Sequence, residues 1–323
     1  MPSQLTLVER EKISQMYFAK VPKSEIAKTL KRDRTTIQRE IKRNSIDGSY
    51  SAVTAQRLTA ARRSTRPLKP KMTRPEIRER VLNGLTDYWA PEQIAGRMTR
   101  DILSADTRVS RSTIERWIRQ DPARRHWESF LRRRGKRRPK NDRRGQLPAT
   151  VSISGRPPQV DQRARGGDWE GDTIVSPGKR SGLVSMTDRK SGLLKLGKVK
   201  NVQSDTVISR MRQQLKSVPA SMRHTLTLDN GKEFAQHVQL ERLIPEGIFF
   251  AHPGCPWERG ANENTNGLIR QFLPKGTNMA AISHQRINEI ENLINERPRK
   301  RLNFRTPNEV FAEESARMPL QLR

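Results

Sequence analysis

Three acidic residues in the second half of the chain lie where a carboxylate is not needed for solubility. Asp172 falls within the apolar stretch DWEGDTIV, Asp229 directly follows the strand pattern TLTL in TLTLDNG, and Glu263 opens a helical pattern in ERGANENTNGLIR. A carboxylate in such a place is costly to bury unless it is paired or binds a metal ion. We therefore expect Asp172, Asp229 and Glu263 to converge and together bind divalent metal.

The chemistry of this donor set points to a hard cation. Asp and Glu oxygens without Cys or His ligands favour Mg²⁺ or Mn²⁺. Two such ions about 4 Å apart can activate a water or a 3′-hydroxyl and stabilise the leaving oxygen in phosphodiester transfer. In the chain, 56 residues separate Asp172 from Asp229, and 33 separate Asp229 from Glu263. We expect Mg²⁺ or Mn²⁺, as two ions, to be the cofactor.

Other polar residues near these three are assigned different roles. Glu170 precedes the core of the predicted strand, Asp188 falls in a predicted turn, and Glu258 falls in the loop PWERG. We expect these acids to shape the protein rather than to bind metal. Arg270 follows Glu263 at helical spacing, so the same helix face could present a base to a phosphate.

The overall charge indicates a polyanionic partner. The 323 residues include 64 Lys and Arg against 34 Asp and Glu, a net charge of +30. Such an excess does not help folding, and nucleic acid is its commonest partner. The single Cys255 excludes a disulfide framework, and the five scattered histidines show no metal-ligand spacing. No apolar run approaches the roughly 20 residues that span a membrane, so a cytoplasmic protein is expected.

Residues 1–45 carry a helix-turn-helix pattern. Apolar spacing predicts helices at Val8–Ala19, from Pro22, and at Arg34–Arg43, the last one capped by Asp33. The exposed face of the third helix is polar or cationic and suits the major groove of DNA. We expect this face to bind DNA; it comprises Arg34, Thr35, Gln38, Arg39, Lys42 and Arg43. A three-helix bundle with a purely structural role is the alternative.

The same pattern recurs in residues 76–120. The segment SRSTIERWI at Ser110–Ile118 repeats DRTTIQREI at Asp33–Ile41 in register, with Trp117 expected to be buried. We predict a second helix-turn-helix that binds DNA through Arg111, Ser112 and Arg116. A helical pair that only dimerises is the alternative.

Two connecting segments are predicted. Residues 46–75 are Ala-rich and then carry three prolines, which is typical of a linker. Residues 121–160 form a basic linker, in which 124–144 contain eleven Lys or Arg against two acids. Such a block is expected to become ordered only against an opposing charge, here the phosphates of DNA.

Residues 161–315 are predicted to form an α/β domain. Strand patterns occur at Trp169–Ser176, Gly182–Asp188, Gly192–Val199, Thr225–Leu228 and Ile248–Ala251. Helical patterns occur at Asp205–Val218, Glu263–Phe272 and His284–Glu296. This order favours a mixed sheet with helices packed on it. No Walker or dinucleotide-binding motif is present, so ATP is not implied.

The chain resembles the insertion-sequence-thirty (IS30) family of DDE transposases over nearly its whole length. The resemblance rests on Leu5–Asn44, DWEGD, TLDNGKEF, HPGCPWERGANENTNGLIRQFLPKGT and RPRKRLNFRTPNEVF. One departure is Asp168, where the family more often has His before the Trp. Another is Gly254-Cys255-Pro256 in place of small polar residues.

This resemblance implies a multidomain chain: all-α helix-turn-helix modules followed by an α/β ribonuclease H-like catalytic domain with a mixed sheet. It implies that Asp172, Asp229 and Glu263 form the metal-binding triad for cleavage and transfer of an insertion element. The expected partners are the terminal inverted repeats and the target DNA, with a homo-oligomer, at least a dimer, in a bacterial, nucleoid-associated setting. An inactive derivative acting as a DNA-binding repressor is the alternative. A retroviral-type integrase would bring a zinc module, which the lone cysteine argues against.

Overall fold

The computed structural model describes residues 4–64, 71–101, 107–132, 150–179, 181–253 and 255–317. The chain divides into two compact units, Met1–Pro70 and Lys71–Arg323. Each has its own hydrophobic core. None of the helices in the described ranges is long and apolar enough to cross a membrane.

The first unit is a helix-turn-helix domain with a short hairpin and a fourth helix. Thr6 and Glu9 form a capping box at the start of the first helix, and Asp33 caps the third by accepting from the backbone of Thr35. Its elements are α1 (Leu7–Phe18), α2 (Lys23–Thr29), α3 (Arg34–Asn44), β1 (Ser45–Ile46), β2 (Ser49–Tyr50) and α4 (Ala52–Ser64).

The core of this unit explains why the segment expected to be a linker begins later than predicted. Ile13, Ile26 and Ile37 meet at its centre, and Tyr50 and Ala55 are fully buried against them. The hairpin and α4 therefore belong to the first unit, and within 46–75 only the later residues connect the two units. The burial of Tyr50 and Ala55 is a tertiary effect that the Ala-rich composition did not reveal.

The second unit begins with the helical segment that is predicted to be a second helix-turn-helix. Ser110 caps the helix that starts at Arg111, and Ile94, Ile114 and Ile118 form the centre of the segment's core. Trp117, expected to be buried, is partly buried and packs against this core together with Trp127. Its helices are α5 (Pro75–Thr86), α6 (Pro91–Asp101), α7 (Arg111–Gln120) and α8 (Arg124–Ser129). The last of these lies inside the predicted basic linker, because Trp127 packs on the helical core.

A six-stranded mixed sheet forms the rest of the second unit. In chain order the elements are β3 (Val151–Ser152), α9 (Pro158–Asp161), β4 (Asp168–Val175), β5 (Gly182–Asp188), β6 (Leu194–Val199), α10 (Ser204–Lys216), β7 (Thr225–Leu228), β8 (Ile248–Phe250), α11 (Gly260–Phe272), α12 (His284–Asn295) and α13 (Pro307–Arg317). The strands lie in the order β3-β8-β7-β4-β5-β6. Neighbours among β4, β5 and β6 are antiparallel, and β4, β7, β8 and β3 run parallel.

Helices pack on the sheet through two clusters of buried apolar side chains. Val207 and Met211 of α10 pack with Trp169 and Leu226 in one cluster. In the other, α11 and α12 pack against Ile174, Leu183 and neighbouring residues. The five strands from β4 to β8 lie side by side in the order β6-β5-β4-β7-β8. If β4 is numbered 1, this order is 3-2-1-4-5, and strand 2 is antiparallel to strand 1. This is the ribonuclease H-like arrangement that the resemblance implied. The predicted fold class is confirmed.

The helical segment α5–α8, the predicted second helix-turn-helix, is docked on the α/β part of its unit. Arg97 on α6 forms an ion pair with Glu309 at 2.7 Å, and Gln93 donates to the carbonyl of Pro298 at 2.7 Å. Phe304 lies so close to Gly96 that a Cβ there would be 2.2 Å from its ring. Helix α6 is thus held by the last third of the chain.

Candidate active site

Asp172 and Asp229 lie beside each other because their strands are neighbours. Asp172 is in β4, and Asp229 immediately follows β7, which pairs with β4 in parallel. Arg259 contacts both: its Nη2 donates to Asp229 Oδ2 at 3.1 Å, and its Nη1 is 3.8 Å from Asp172 Oδ1. The two carboxylates therefore share one guanidinium.

The surroundings of Asp172 act on its charge in both directions. Burial raises the pKa of its carboxyl above the usual value, the nearby Asp229 charge adds to this, and Arg259 counteracts it. The carboxylate accepts from Asn266 Nδ2 at 2.6 Å and from the backbone of Thr173 at 2.8 Å. These donors and Arg259 favour the ionised form in a place that otherwise disfavours it.

Glu263 lies on α11, one turn before Asn266, and is exposed. Within the described ranges no residue forms a hydrogen bond or ion pair with its carboxylate. Nor do any three His, Cys, Asp or Glu side chains in these ranges come close enough together to hold a metal ion. The structure thus brings two members of the predicted triad together and carries the third on the helix that contacts them.

Glu170 anchors the start of that helix. It is fully buried, pairs with Arg189, and its Oε2 accepts from the backbone N–H of Asn262 at 2.9 Å. A carboxylate at the first turn of a helix satisfies an otherwise unpaired donor and is favoured by the helix dipole. Glu170 therefore positions α11 and is committed to that role, in keeping with its demotion from the sequence.

The other two competing acids are also bound to nearby backbone. Asp188 accepts from the N–H groups of Gly167 and Ser191, both at 2.7 Å, at the turn between β5 and β6. Glu258 accepts from the backbone and ring nitrogens of His252 at 2.8 Å and 2.7 Å. Both stabilise loops, as their positions in the sequence predicted.

Sequence reasoning missed three residues of this site. Asn266 lies three positions after Glu263 on the same helix face, and Arg259 lies four positions before Glu263, immediately ahead of the helix. Both residues fall in the motif ERGANENTN, but the sequence analysis assigned roles only to Glu258, Glu263 and the later Arg270. Glu233 was also missed: it accepts from Thr173 Oγ1 at 2.9 Å beside Asp172.

Arg270, predicted to contact a phosphate, is half-buried and turned towards the end of its own helix. Its Nη1 donates to the carbonyls of Leu273 at 3.4 Å and Pro274 at 3.3 Å. Burial lowers its pKa from the usual range. Its contact with DNA remains a prediction.

The predicted DNA-reading side chains of both recognition helices point to solvent. On α3 all six are exposed: Arg34, Thr35, Gln38, Arg39, Lys42 and Arg43. On α7 Arg111, Ser112 and Arg116 are exposed, and Arg111 pairs with Glu115 along the helix at 2.7 Å. Both faces are exposed to solvent, and their contact with DNA stays a prediction.

Comparison with known proteins places this architecture in a family. A family model described as a helix-turn-helix domain matches residues 2–44. The transposase for insertion sequence element IS4351 of Bacteroides fragilis is 38% identical over 320 residues, which cover 97% of each chain. The chain belongs to the IS30 family of insertion-sequence transposases.

Two further relatives support the same assignment. The transposase for IS1086 of Cupriavidus metallidurans is 35% identical over 98% of each chain. Transposase InsI for IS30A of Escherichia coli is 35% identical over 96% of this chain and 83% of that one. This IS30-family chain is therefore a DNA-binding transposase, a polynucleotidyl transferase, and the sequence-based prediction of family and activity is confirmed.

Proposed function

We propose that this transposase binds the terminal inverted repeats of its insertion element and cuts and joins DNA strands at Asp172, Asp229 and Glu263. The observation that carries this proposal is the shared contact of Arg259 with Asp172 and Asp229. Two partly buried carboxylates that draw a cation between them form a site with high affinity for positive charge.

The donor set suits Mg²⁺ or Mn²⁺, as two ions. All three side chains offer only oxygen; Asp172 lies in β4, and Asp229 directly follows the adjacent strand β7. When bound, such ions activate the attacking water or 3′-hydroxyl and stabilise the leaving oxygen. Asp172 and Asp229 would hold them from the sheet, with Glu263 as the third ligand from α11.

The protein's own groups would prepare this site. Asn266 fixes one oxygen of Asp172, which leaves the other facing Arg259. Glu170 fixes the first turn of α11 and thereby the position from which Glu263 projects. Arg259 supplies positive charge next to both aspartates and could turn towards a DNA phosphate when metal takes its place.

DNA would be delivered by the two helix-turn-helix modules. The exposed face of α3 is suited to read the inverted repeat, and α7 to assist in end binding or target choice. Bringing two element ends together calls for at least a homodimer. The expected setting is the bacterial cytoplasm, in association with the nucleoid.

A Mg²⁺-dependent strand-transfer assay on DNA carrying the element ends tests this function. The variants Asp172→Asn, Asp229→Asn and Glu263→Gln should lose cleavage and transfer while retaining wild-type binding to the end in a gel-shift assay. If Asp229→Asn still transferred strands, the proposed triad would be wrong. A wild-type protein that bound the ends but never cut them would instead favour the repressor.

A further inference from the structure

A cavity of about 240 Å³ opens beside the first turn of α11. It is smaller than the roughly 300–1,000 Å³ typical of sites for drug-sized ligands, so a small group would fill it. Its walls come from the end of β5, the first turn of α11 and the segment after α12. The lining includes Thr187, Gly260, Asn264 and three arginines, Arg163, Arg299 and Arg301.

The segment that carries two of these arginines is rigidly built. The backbone N–H of Arg299 donates to the carbonyl of Arg305 at 2.9 Å, and that of Phe304 donates back to the carbonyl of Arg299 at 2.9 Å. Asn303 and Phe304 both adopt positive φ, at 53° and 58°, to close this loop. A conformation that such residues rarely adopt indicates that surrounding structure holds the loop in place.

Arg301 is held by the turn that faces it. Its Nη1 donates to the carbonyl of Lys190 at 2.6 Å. Gly192, at φ 76°, makes room for the guanidinium, because a Cβ there would lie 2.6 Å from Arg301 Nη2. The guanidinium of Arg301 is therefore oriented by a backbone carbonyl and not by an ion pair with a carboxylate of the described residues.

The charges in this region lack counterions within the described residues. No carboxylate there forms an ion pair with Arg163, Arg299 or Arg301, whereas the buried Arg189 nearby pairs with Glu170. Burial lowers the pKa of Arg301, and the like charge of Arg163 adds to this. The Asp188 charge opposes the shift, but the Asp188 oxygens already accept three hydrogen bonds from Gly167 and Ser191.

Neighbouring residues add further positive charge and further polar groups without a partner. Arg297, only 2% exposed, has its Nε and Nη2 without a hydrogen-bond partner in the described part of the chain. Burial, together with the like charges of Arg297 and Arg301, lowers the pKa of Arg299 to about 9. Thr187, 1% exposed, also has a hydroxyl without a partner there. Thr187 lines the cavity, whereas Arg297 lies outside its lining and contributes only its charge. An unpaired buried group in a cavity wall is costly unless a ligand completes the site.

We propose that this cavity binds one backbone phosphate of the DNA strand that crosses the active site. Guanidinium forks match phosphate oxygens in geometry and charge. The cavity wall at Gly260 directly follows Arg259, which contacts Asp172 and Asp229, so a strand bound at those aspartates passes close by. The proposal rests on the function proposed above, and it adds a fixed point that sets the register of the strand.

The test measures binding without metal, so that its outcome does not depend on cleavage. Element-end DNA carries a single neutral methylphosphonate at successive positions around the cleavage point, and affinities are measured in EDTA. Wild-type protein should lose about tenfold in affinity at one position, as expected for loss of a hydrogen-bonded charge pair. Arg163→Gln/Arg301→Gln should bind unmodified DNA about tenfold more weakly and be insensitive to the substitution at that position.

The control is Arg242→Gln/Arg286→Gln, which removes the same charge from exposed positions outside the cavity. It should keep the wild-type sensitivity to the methylphosphonate. Arg299→Lys keeps the charge but not the fork, and a reduced sensitivity in this folded variant would support the proposal independently. Circular dichroism checks that each variant is folded.

Two results would overturn the proposal. One is equal sensitivity of the wild type and the cavity variant at every position. The other is stabilisation of the wild type, but not of the variant, by inorganic phosphate with no DNA position affected, which would assign the cavity to a free anion. Strand transfer by the triad variants is measured separately, so the phosphate site and the proposed triad can each be refuted without the other.

Discussion

The guanidinium of Arg259 donates to the carboxylate of Asp229 at 3.1 Å from the position immediately before the helix that carries Glu263. Through this contact the start of α11 is joined to the end of β7. The same arginine donates to the carbonyl of Gly171, next to Asp172, at 3.3 Å. One side chain thus links both strands of the aspartate pair to the helix of the third acid.

Removing Arg259 should destabilise the metal-free protein and increase its response to Mg²⁺. Arg259→Gln leaves Asp172 and Asp229 without their shared counterion, which should cost about 1–3 kcal/mol for partly buried charges. Urea unfolding in EDTA and then in rising Mg²⁺ measures both effects. Arg286→Gln, which breaks an exposed pair with Glu289, should cost no more than about 0.5 kcal/mol. Equal stabilisation of wild type and Arg259→Gln by Mg²⁺ would contradict the expectation.

Substitutions of Glu170 and Glu263 should distinguish a residue that stabilises the fold from one that takes part in strand transfer. Glu170→Gln removes the buried carboxylate that pairs with Arg189 and leaves only the exposed Asp161, at 3.5 Å, as a negative partner, so it should lower the free energy of unfolding by about 3 kcal/mol. Glu263→Gln changes an exposed group and should alter it by no more than about 0.5 kcal/mol while abolishing strand transfer. Urea midpoints and the transfer assay together test this. A stable Glu170→Gln variant would show that α11 does not depend on this anchor.

Local patterns in the sequence identified most of the secondary structure. Caps and apolar spacing predicted α3 and α7, and the turn predicted at Asp188 indicated the antiparallel pair β5–β6. The contacts that escaped prediction join residues far apart in the chain. The two-residue strand Val151–Ser152 pairs with Phe249–Phe250, and its own sequence is too short to show a period.

The same limit applies to the candidate site. Asp172 and Asp229 were recognisable because acids in apolar strands are unusual. That Arg259 lies between them depends on how α11 packs on β4 and β5, which no local pattern encodes. The docking of α6 through Arg97 and Glu309 joins residues more than 200 positions apart.

Recognition of the element end should depend on the exposed face of α3. Gln38→Ala or Arg39→Ala removes a group that can form bidentate contacts with a base edge and should cost about 1–3 kcal/mol of binding. Lys42→Ala should weaken binding to all sequences alike. Gel shifts with specific and random DNA distinguish the two, and the unfolding response to Mg²⁺ should stay as in the wild type. Unchanged affinity of the Gln38 and Arg39 variants would refute this role.

Docking of the second helix-turn-helix should be sensitive to a single methyl group at residue 96. A Cβ in Gly96→Ala would collide with Phe304, at a cost of about 1–3 kcal/mol despite the better helix propensity of Ala. Gly155→Ala, whose Cβ would meet only Val151 at 3.7 Å, is the matched control and should be near neutral. Urea unfolding and the rate of limited proteolysis between α8 and β3 report the change. An unaltered Gly96→Ala protein would mean that Phe304 moves away freely.

The first unit should lose stability in acid through Glu9. Its hydrogen bonds to Arg32 and to the backbone of Thr6 lower the pKa of Glu9 from 4.5 to about 2. A lowered pKa in the folded state stabilises the protein above pH 4.5, and this contribution disappears as the pH falls towards 2.

In a fragment of residues 1–70, Glu9→Gln should therefore be less stable than the wild type by about 1 kcal/mol at pH 7, allowing for solvent screening. The two should converge between pH 4.5 and 2 as Glu9 becomes protonated. Urea unfolding across this range measures the difference, with Glu11→Gln, an exposed acid on the same helix, as the control. If the difference in free energy of unfolding stayed constant with pH, the charge of Glu9 would not contribute to the contact between the start of α1 and the turn before α3.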